Sequence, residues 1–323
     1  MSSTVVLGIG ASHTTLMNTH WDRVDHLPRA HHFRNALNQA AAELHAARPD
    51  AVVVVGSNHF RGFWLDLMPA FTVGVGEVIC SGEHGSPKGL LPSDAALGQH
   101  ICNGLVGRSF DVAFSSRLTV DHGISHAVQW IVRTAAGPMI PVVPVVVNCF
   151  APPLPSLKRS RDFGAALGAT IREFPGARRI AVIGTGGLSH TLPFPDWRAP
   201  HSPDDEFLVE SWRSGRGRWE EFETRRRQIL VNSPPRLNEP FDRDFLGRLA
   251  QGTIAEFADR VADEALTQTA GNGAAEFRAW IIMAAALQHR PGRVLAYSPM
   301  PEWLTGMAVA VIPGEPSQPG EPS

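Results

Sequence analysis

The chain has 323 residues, of which 43% are hydrophobic and 19% charged, with a formal charge of −2. That is enough chain for one large α/β domain or two modest ones, and the near-balance of charge excludes a broad basic footprint for nucleic acid or an anionic membrane. The longest strongly apolar stretch, Met139 to Val147, is broken by prolines and is too short to span a bilayer. The isolated Cys80, Cys102 and Cys149 indicate neither a disulfide framework nor a thiolate metal site. With no basic region and long apolar core at the N-terminus, the expectation is a cytoplasmic protein.

Strands are expected in chain order at Val5–Ile9, Ala51–Val55, Phe71–Val75, Val112–Phe114, Val142–Val147 and Ile180–Ile183. Helices are expected between them at His32–Ala47, Asp94–Leu105, Ile124–Arg133 and Arg161–Phe174. This alternation predicts an α/β fold: a central, largely parallel or mixed sheet with helices on both faces. Beyond Pro200 the pattern turns helical, with a polar, arginine-rich segment (Trp212–Leu230) and then helices near Asp242–Leu249, Ile254–Thr267 and Ala274–Leu287. Glu221 and Arg225 stand four apart, as on a solvated helix face. The expected organisation is a single catalytic domain over residues 1–312 with a helical C-terminal part. Residues 313–323, mostly Gly, Pro, Ser and Glu, are expected to form a disordered tail.

Four segments run from an apolar stretch or glycine turn into a histidine: Gly8-Ile9-Gly10-Ala11-Ser12-His13, Val54-Val55-Gly56-Ser57-Asn58-His59, Leu118-Thr119-Val120-Asp121-His122 and Gly184-Thr185-Gly186-Gly187-Leu188-Ser189-His190. Loops after buried strands are where a scaffold presents chemistry, and imidazole is the commonest protein ligand of transition metals. Other motifs read less well. Gly8-Ile9-Gly10 lacks the third glycine of a dinucleotide fingerprint and a later acidic residue. Gly123-Ile124-Ser125-His126-Ala127 lacks the last glycine of a nucleophile elbow. Gly184-Thr185-Gly186-Gly187 lacks the Lys-Ser/Thr of a P-loop and reads as a tight turn that lets His190 approach a ligand.

Glu276 shares a helical face with Trp280, Met283 and Leu287. Taken alone it fits an exposed first turn favoured by the helix dipole; buried without a partner it would be expensive. Two strand-end histidines make a metal its natural partner, because two histidines and one carboxylate form the facial triad of non-heme Fe(II) oxygenases.

In this order the segments resemble the class III extradiol ring-cleavage dioxygenases, of the protocatechuate 4,5-dioxygenase β-chain and 2,3-dihydroxyphenylpropionate 1,2-dioxygenase type. The likeness spans Ser12-His13, Asn58-His59 with Met68-Pro69 and Gly74-Val75-Gly76, Val120-Asp121-His122-Gly123, Gly184 to His190, Asn238 with Asp242 and Phe245, and Glu276 with Trp280. Leu237-Asn238 to Phe245-Leu246 and Pro301-Glu302-Trp303 sit closer to the dihydroxyphenylpropionate type. Thr191-Leu192-Pro193 departs from the family pattern and touches on the choice of substrate.

The resemblance implies that His13, His59 and Glu276 hold Fe(II), with Mn(II) as the alternative, and that His190 is the acid–base residue with His122 its partner across the substrate. An imidazole with a pKa near 7 is suited to accept a catechol proton. His122 would donate to the developing oxyanion, and Asp121 would either orient it or serve as a turn residue. His126 reads as a supporting or helix-surface residue, and His20, His26, His31 and His32 as loop and helix surface. The implied partners are a small aromatic diol, with a 3-substituted catechol such as 2,3-dihydroxyphenylpropionate favoured over protocatechuate or gallate, together with O₂ and further copies of the chain in a homo-oligomer. A metal-dependent hydrolase using bound water and a non-enzymatic binding protein on the same scaffold are the competing readings.

Overall fold

The computed structural model describes residues 2–133 and 139–315. Among them nine strands form one mixed sheet: β1 (Thr4–Ala11), β2 (Ala51–Ser57), β3 (Phe71–Ser81), β4 (Lys88–Leu91), β5 (Ala113–Val120), β6 (Val142–Val147), β7 (Arg179–Thr185), β8 (Arg293–Met300) and β9 (Thr305–Pro313). The centre, in the order β6-β2-β7-β1, is wholly parallel. The flanks are mixed: β9 and β8 add antiparallel beyond β1, whereas β3 runs antiparallel to β6 and β4 and parallel to β5. The expected α/β architecture is therefore observed, with four contiguous parallel strands in the middle and one further parallel pair, β3 with β5, on a flank.

Helices cover both faces, which explains why β2 reads as an unbroken Val run rather than an alternation. Val53 and Val55 pack into one core with the helices Ala95–Gly107, Leu157–Glu173 and Phe277–Ala286. Val52 and Val54 pack into the other with Pro28–Ala46 and His122–Ala127. Strands β4, β8 and β9 have no counterpart in the sequence reading. Pro299 in β8 argues against a strand except at a sheet edge, which is where β8 lies. Strand β9 is rich in Gly, Met and Ala and buried on both faces, so it shows no period of two.

The arginine-rich segment divides into Pro203–Ser214 and Trp219–Val231 around Gly215 and Gly217, and the expected helix over Ile254–Thr267 divides into Ile254–Arg260 and Asp263–Ala270. At the C-terminus, pairing continues past Pro313, where Gly314 N and Glu315 N donate to Val6 O and Val5 O at 3.2 and 3.0 Å. The rest of the expected tail, 316–323, lies outside the described residues. Among the described residues no helix is long and apolar enough to cross a membrane.

Candidate active site

Parallel strands deliver their C-terminal loops to one edge of a sheet. Here β1, β2 and β7 lead into His13, His59 and His190 at that edge. His122 arrives differently: it opens a short helix laid against the end of β2, with Gly123 so close to Ser57 that a Cβ there would lie 2.2 Å from its carbonyl oxygen.

Glycines bring the carboxylate in. A Cβ on Gly10 would stand 2.2 Å from the Trp280 ring, one on Gly184 2.5 Å from Ala279 O, and one on Gly186 2.6 Å from Glu276 Cβ. The glycines of β1 and of the loop after β7 thus let the helix Phe277–Ala286 press onto the sheet. This accounts for Gly8-Ile9-Gly10 without a nucleotide. It also changes the reading of Gly184–Gly187, which accommodates the Glu276 segment as well as His190. The room for the His190 ring comes largely from Gly273, where a Cβ would lie 2.2 Å from that ring. Glu276 ends a 3-10 turn (Asn272–Glu276) rather than lying inside the expected helix, and it is 1% exposed, so the exposed first-turn alternative is excluded.

The three expected ligands converge. Glu276 Oε1 lies 3.1 Å from His13 Nε2 and 3.4 Å from His59 Nε2. The carboxylate also accepts from Ser57 Oγ and, through Oε2, from Gly187 N at 2.7 Å. Outward-facing nitrogens are fixed by second partners, as supported metal ligands usually are. His13 Nδ1 and Thr185 Oγ1 share a hydrogen bond at 2.8 Å, and His59 Nδ1 donates to Asp121 Oδ1 at 3.3 Å. That leaves both Nε2 atoms aimed at one carboxylate oxygen. Buried His13 Nε2 has no hydrogen-bond partner. Lone pairs facing a carboxylate repel unless a cation stands between them, so the donor set fits a divalent metal. The titration of His59 agrees: burial opposes its charge, but Asp121 and Glu276 outweigh that and raise it to about 10. The pocket calls for positive charge.

Asp121 is a structural clasp between two loops. It caps the helix at His122 by accepting from Gly123 N at 2.9 Å, and it holds His59 by both the backbone N and Nδ1. Of the two expected roles, it fills that of the turn residue, and it orients His59 rather than His122. The partner of His122 is Glu83, which the sequence reading missed: Glu83 Oε1 takes His122 Nδ1 at 2.6 Å and its backbone N at 2.8 Å. Burial opposes ionisation of Glu83, but Arg61 and the His122 N–H hold it below the usual carboxylate range. With Nδ1–H committed to Glu83, a neutral His122 presents a lone pair at Nε2. It can donate to an oxyanion only after first taking up a proton, which corrects the simple donor role expected. Its ring stacks on His59 at 3.9 Å, and a nitrogen of His122 comes within 4.8 Å of nitrogens of His13 and His59.

His190 Nδ1 donates to Leu188 O at 2.7 Å, so Nε2 is its titrating nitrogen. Burial lowers its pKa below 6.5, only partly offset by Glu276, so it is neutral at pH 7 rather than poised there. His126 is buried beneath His122, bonded to Ser86 Oγ and Asn18 Nδ2 at 3.0 and 3.2 Å, and is not helix surface. His20, His26, His31 and His32 do not line the cavity. That cavity, about 800 Å³ including its open mouth, is walled by Leu192, Pro193, Phe194 and Trp303 above His13, His59, His122, His190 and Glu276.

The loop bearing His190 is tied down by Asp242. Ser189 donates to it from both N and Oγ at 2.8 Å, and Tyr297 Oη donates at 2.8 Å. Burial nevertheless raises Asp242 from 3.8 to about 6, against the pull of those donors. The folded state then holds this proton more tightly than the unfolded chain, so stability falls as pH rises from 3.8 to about 6 and levels off above that. The loss is roughly 3 kcal/mol in all. Urea unfolding of the wild type and of Asp242→Asn between about pH 4 and pH 7 should show the wild type losing ground by that order; a difference independent of pH would refute the burial argument.

A family model described as the catalytic LigB subunit of aromatic ring-opening dioxygenase matches residues 7–308. Relatives named 2,3-dihydroxyphenylpropionate/2,3-dihydroxicinnamic acid 1,2-dioxygenase are similar to this chain over most of its length. The protein of Paraburkholderia xenovorans (strain LB400) is 34% identical over 269 residues, 79% of this chain and 82% of that one. That of Cupriavidus necator is 32% identical over 284 residues (84% and 88%), and that of Rhodococcus globerulus 29% over 309 (88% and 95%). The fold and site thus define an extradiol ring-cleaving dioxygenase, an oxidoreductase that needs an aromatic diol, O₂ and a catalytic metal. The chain belongs to the LigB family of catalytic subunits of aromatic ring-opening dioxygenases.

Proposed function

We propose that this enzyme is an Fe(II)-dependent dioxygenase of 3-substituted catechols, 2,3-dihydroxyphenylpropionate foremost, with His13, His59 and Glu276 as the iron ligands. The observation that carries the reading is the buried, unpartnered His13 Nε2 aimed at the Glu276 oxygen that His59 also faces. Glu276 is preferred to His122 as third ligand because its oxygen stands against both nitrogens and brings the negative charge. Iron held by His13, His59 and Glu276 would supply a Lewis-acidic, redox-active centre for the diol and O₂.

The chain's own residues handle the protons. His190 is neutral, fixed through Nδ1, and accepts a hydroxyl proton of the diol at Nε2. His122, whose charged form burial and the neighbouring His59 disfavour, takes the second hydroxyl proton of the diol only transiently, with Glu83 on its Nδ1–H, and returns it to the oxygen that becomes anionic as the ring opens. Leu192, Phe194 and Trp303 give the ring an apolar wall. A cytoplasmic homo-oligomer completes the proposal.

The substrate assignment is supported by the names of the relatives and is tested by steady-state kinetics on catechol, 3-alkylcatechols, 2,3-dihydroxyphenylpropionate, protocatechuate and gallate. The highest kcat/KM is expected for 2,3-dihydroxyphenylpropionate. A lead of tenfold or more for protocatechuate or gallate, about 1.4 kcal/mol of transition-state binding, overturns the assignment.

A further inference from the structure

One side of the cavity is cationic in a way that ring opening does not use. Arg61, Arg226 and Arg227 line it alongside Glu83 and Glu223. Both carboxylates are already engaged. Glu83 takes Arg61 Nε at 3.1 Å and His122 Nδ1 at 2.6 Å, while Glu223 takes Arg61 Nη2 and His84 Nε2, the latter at 2.6 Å. Arg226 and Arg227, neighbours on the helix Trp219–Val231, have no carboxylate at salt-bridge distance among the described residues. Arg226 is buried, gives Nη2 to His59 O at 3.3 Å, and leaves Nη1 without a hydrogen-bond partner. Arg227 is partly buried and donates only to hydroxyls, those of Thr15 (2.7 Å from Nη1) and Thr19.

Both neighbouring carboxylates are spent on Arg61 and on histidines, so Arg226 and Arg227 stand at a largely desolvated cleft with no carboxylate at salt-bridge distance among the described residues, a costly arrangement unless an anion joins them. Its position is informative. Thr15 lies two residues beyond His13, a span of at most about 7 Å, so the Arg227 head group is held against the same segment of the cavity wall that carries His13. Neutral hydroxyls are partners that a carboxylate can displace or share, and a guanidinium is the usual bidentate receptor for a carboxylate.

We propose that Arg227, backed by the unpartnered Arg226, anchors a carboxylate borne by the aromatic diol and thereby sets the preference for acidic over neutral catechols. This rests on the ring-cleavage reading above and adds to it the residue that selects the substrate. Arg227 acts on binding, so its removal raises KM for the acidic substrate while leaving a neutral one untouched.

The test compares the iron-loaded full chain with Arg227→Met and Arg227→Lys, using 2,3-dihydroxyphenylpropionate and 3-methylcatechol. Arg227→Met should lower kcat/KM for the acid by about 10- to 100-fold, the scale of a hydrogen bond to a charged group, mainly through KM. The neutral catechol should change by less than about threefold, and Arg227→Lys should restore part of the loss. Equal losses on both substrates, or no loss on the acid, overturn the anchor. If Arg227→Met does not fold, the wild type still decides: 3-phenylpropionate must inhibit cleavage of 3-methylcatechol competitively and its neutral amide must not. A wild type that opens both catechols equally well contradicts the anchor alone, whereas one that opens neither contradicts the ring-cleavage reading.

Discussion

Glu276→Gln is expected to lose bound iron and ring cleavage together while the fold persists. The substitution keeps shape and volume, so it opens no cavity under the helix Phe277–Ala286. Its amide oxygen can still accept from Gly187 N, and its NH₂ can donate to the lone pair of His13 Nε2, an atom that otherwise lacks a partner. The anion is what disappears, and with it the charge that makes the two imidazoles a divalent site. Activity should fall by more than the roughly 10- to 100-fold that disturbing a mere supporting partner costs. Metal analysis of the purified variant alongside its thermal unfolding checks this. Full iron occupancy, or unfolding of the metal-free variant far below the metal-free wild type, would contradict the ligand assignment.

His190→Gln should do the opposite to the metal: iron is retained and turnover drops by about 10²- to 10⁴-fold, the scale of a general acid–base group. The pH profile separates a catalytic from a structural role. Burial lowers the His190 pKa below 6.5, so the active base is the neutral form and kcat/KM falls as pH drops through that lowered value. The acid limb of the wild type should therefore centre below pH 6.5 and vanish in the variant. Wild-type turnover, or an unchanged acid limb at lower amplitude, would refute the role.

What the sequence disclosed follows from where the information lies. His13, His59 and His190 each end an apolar strand, a local pattern, and parallel pairing carries local strand ends to one edge. Glu276 was readable because its apolar face mates made an unpaired carboxylate expensive. Glu83 is different. It sits in the Gly82-Glu83-His84-Gly85 turn, 39 residues from His122, with nothing apolar beside it to mark it as buried. The one local signal was an acidic residue in a glycine-bounded turn, which solvated loops share. Arg226 and Arg227 lie in a charge run that reads as a solvated helix, and only tertiary packing turns one edge of that helix into the cavity wall. The turn role of Asp121 was legible beside His122, but adjacency in sequence concealed its bonds to His59. Strands β8 and β9 escaped for the same kind of reason, one for its proline and the other for burial on both faces.

A single Fe(II) site, as proposed, would let this chain insert O₂ into an aromatic diol. The most direct measurement loads the metal-free protein with Fe(II) under anaerobic conditions, adds 2,3-dihydroxyphenylpropionate, and then admits isotopically labelled dioxygen. The account predicts about one iron per chain, one O₂ consumed for each diol, and a yellow ring-opened product carrying both labelled atoms. Turnover of a hydrolysable substrate without O₂ in a zinc-loaded protein, with the diol left intact by the iron form, would contradict it.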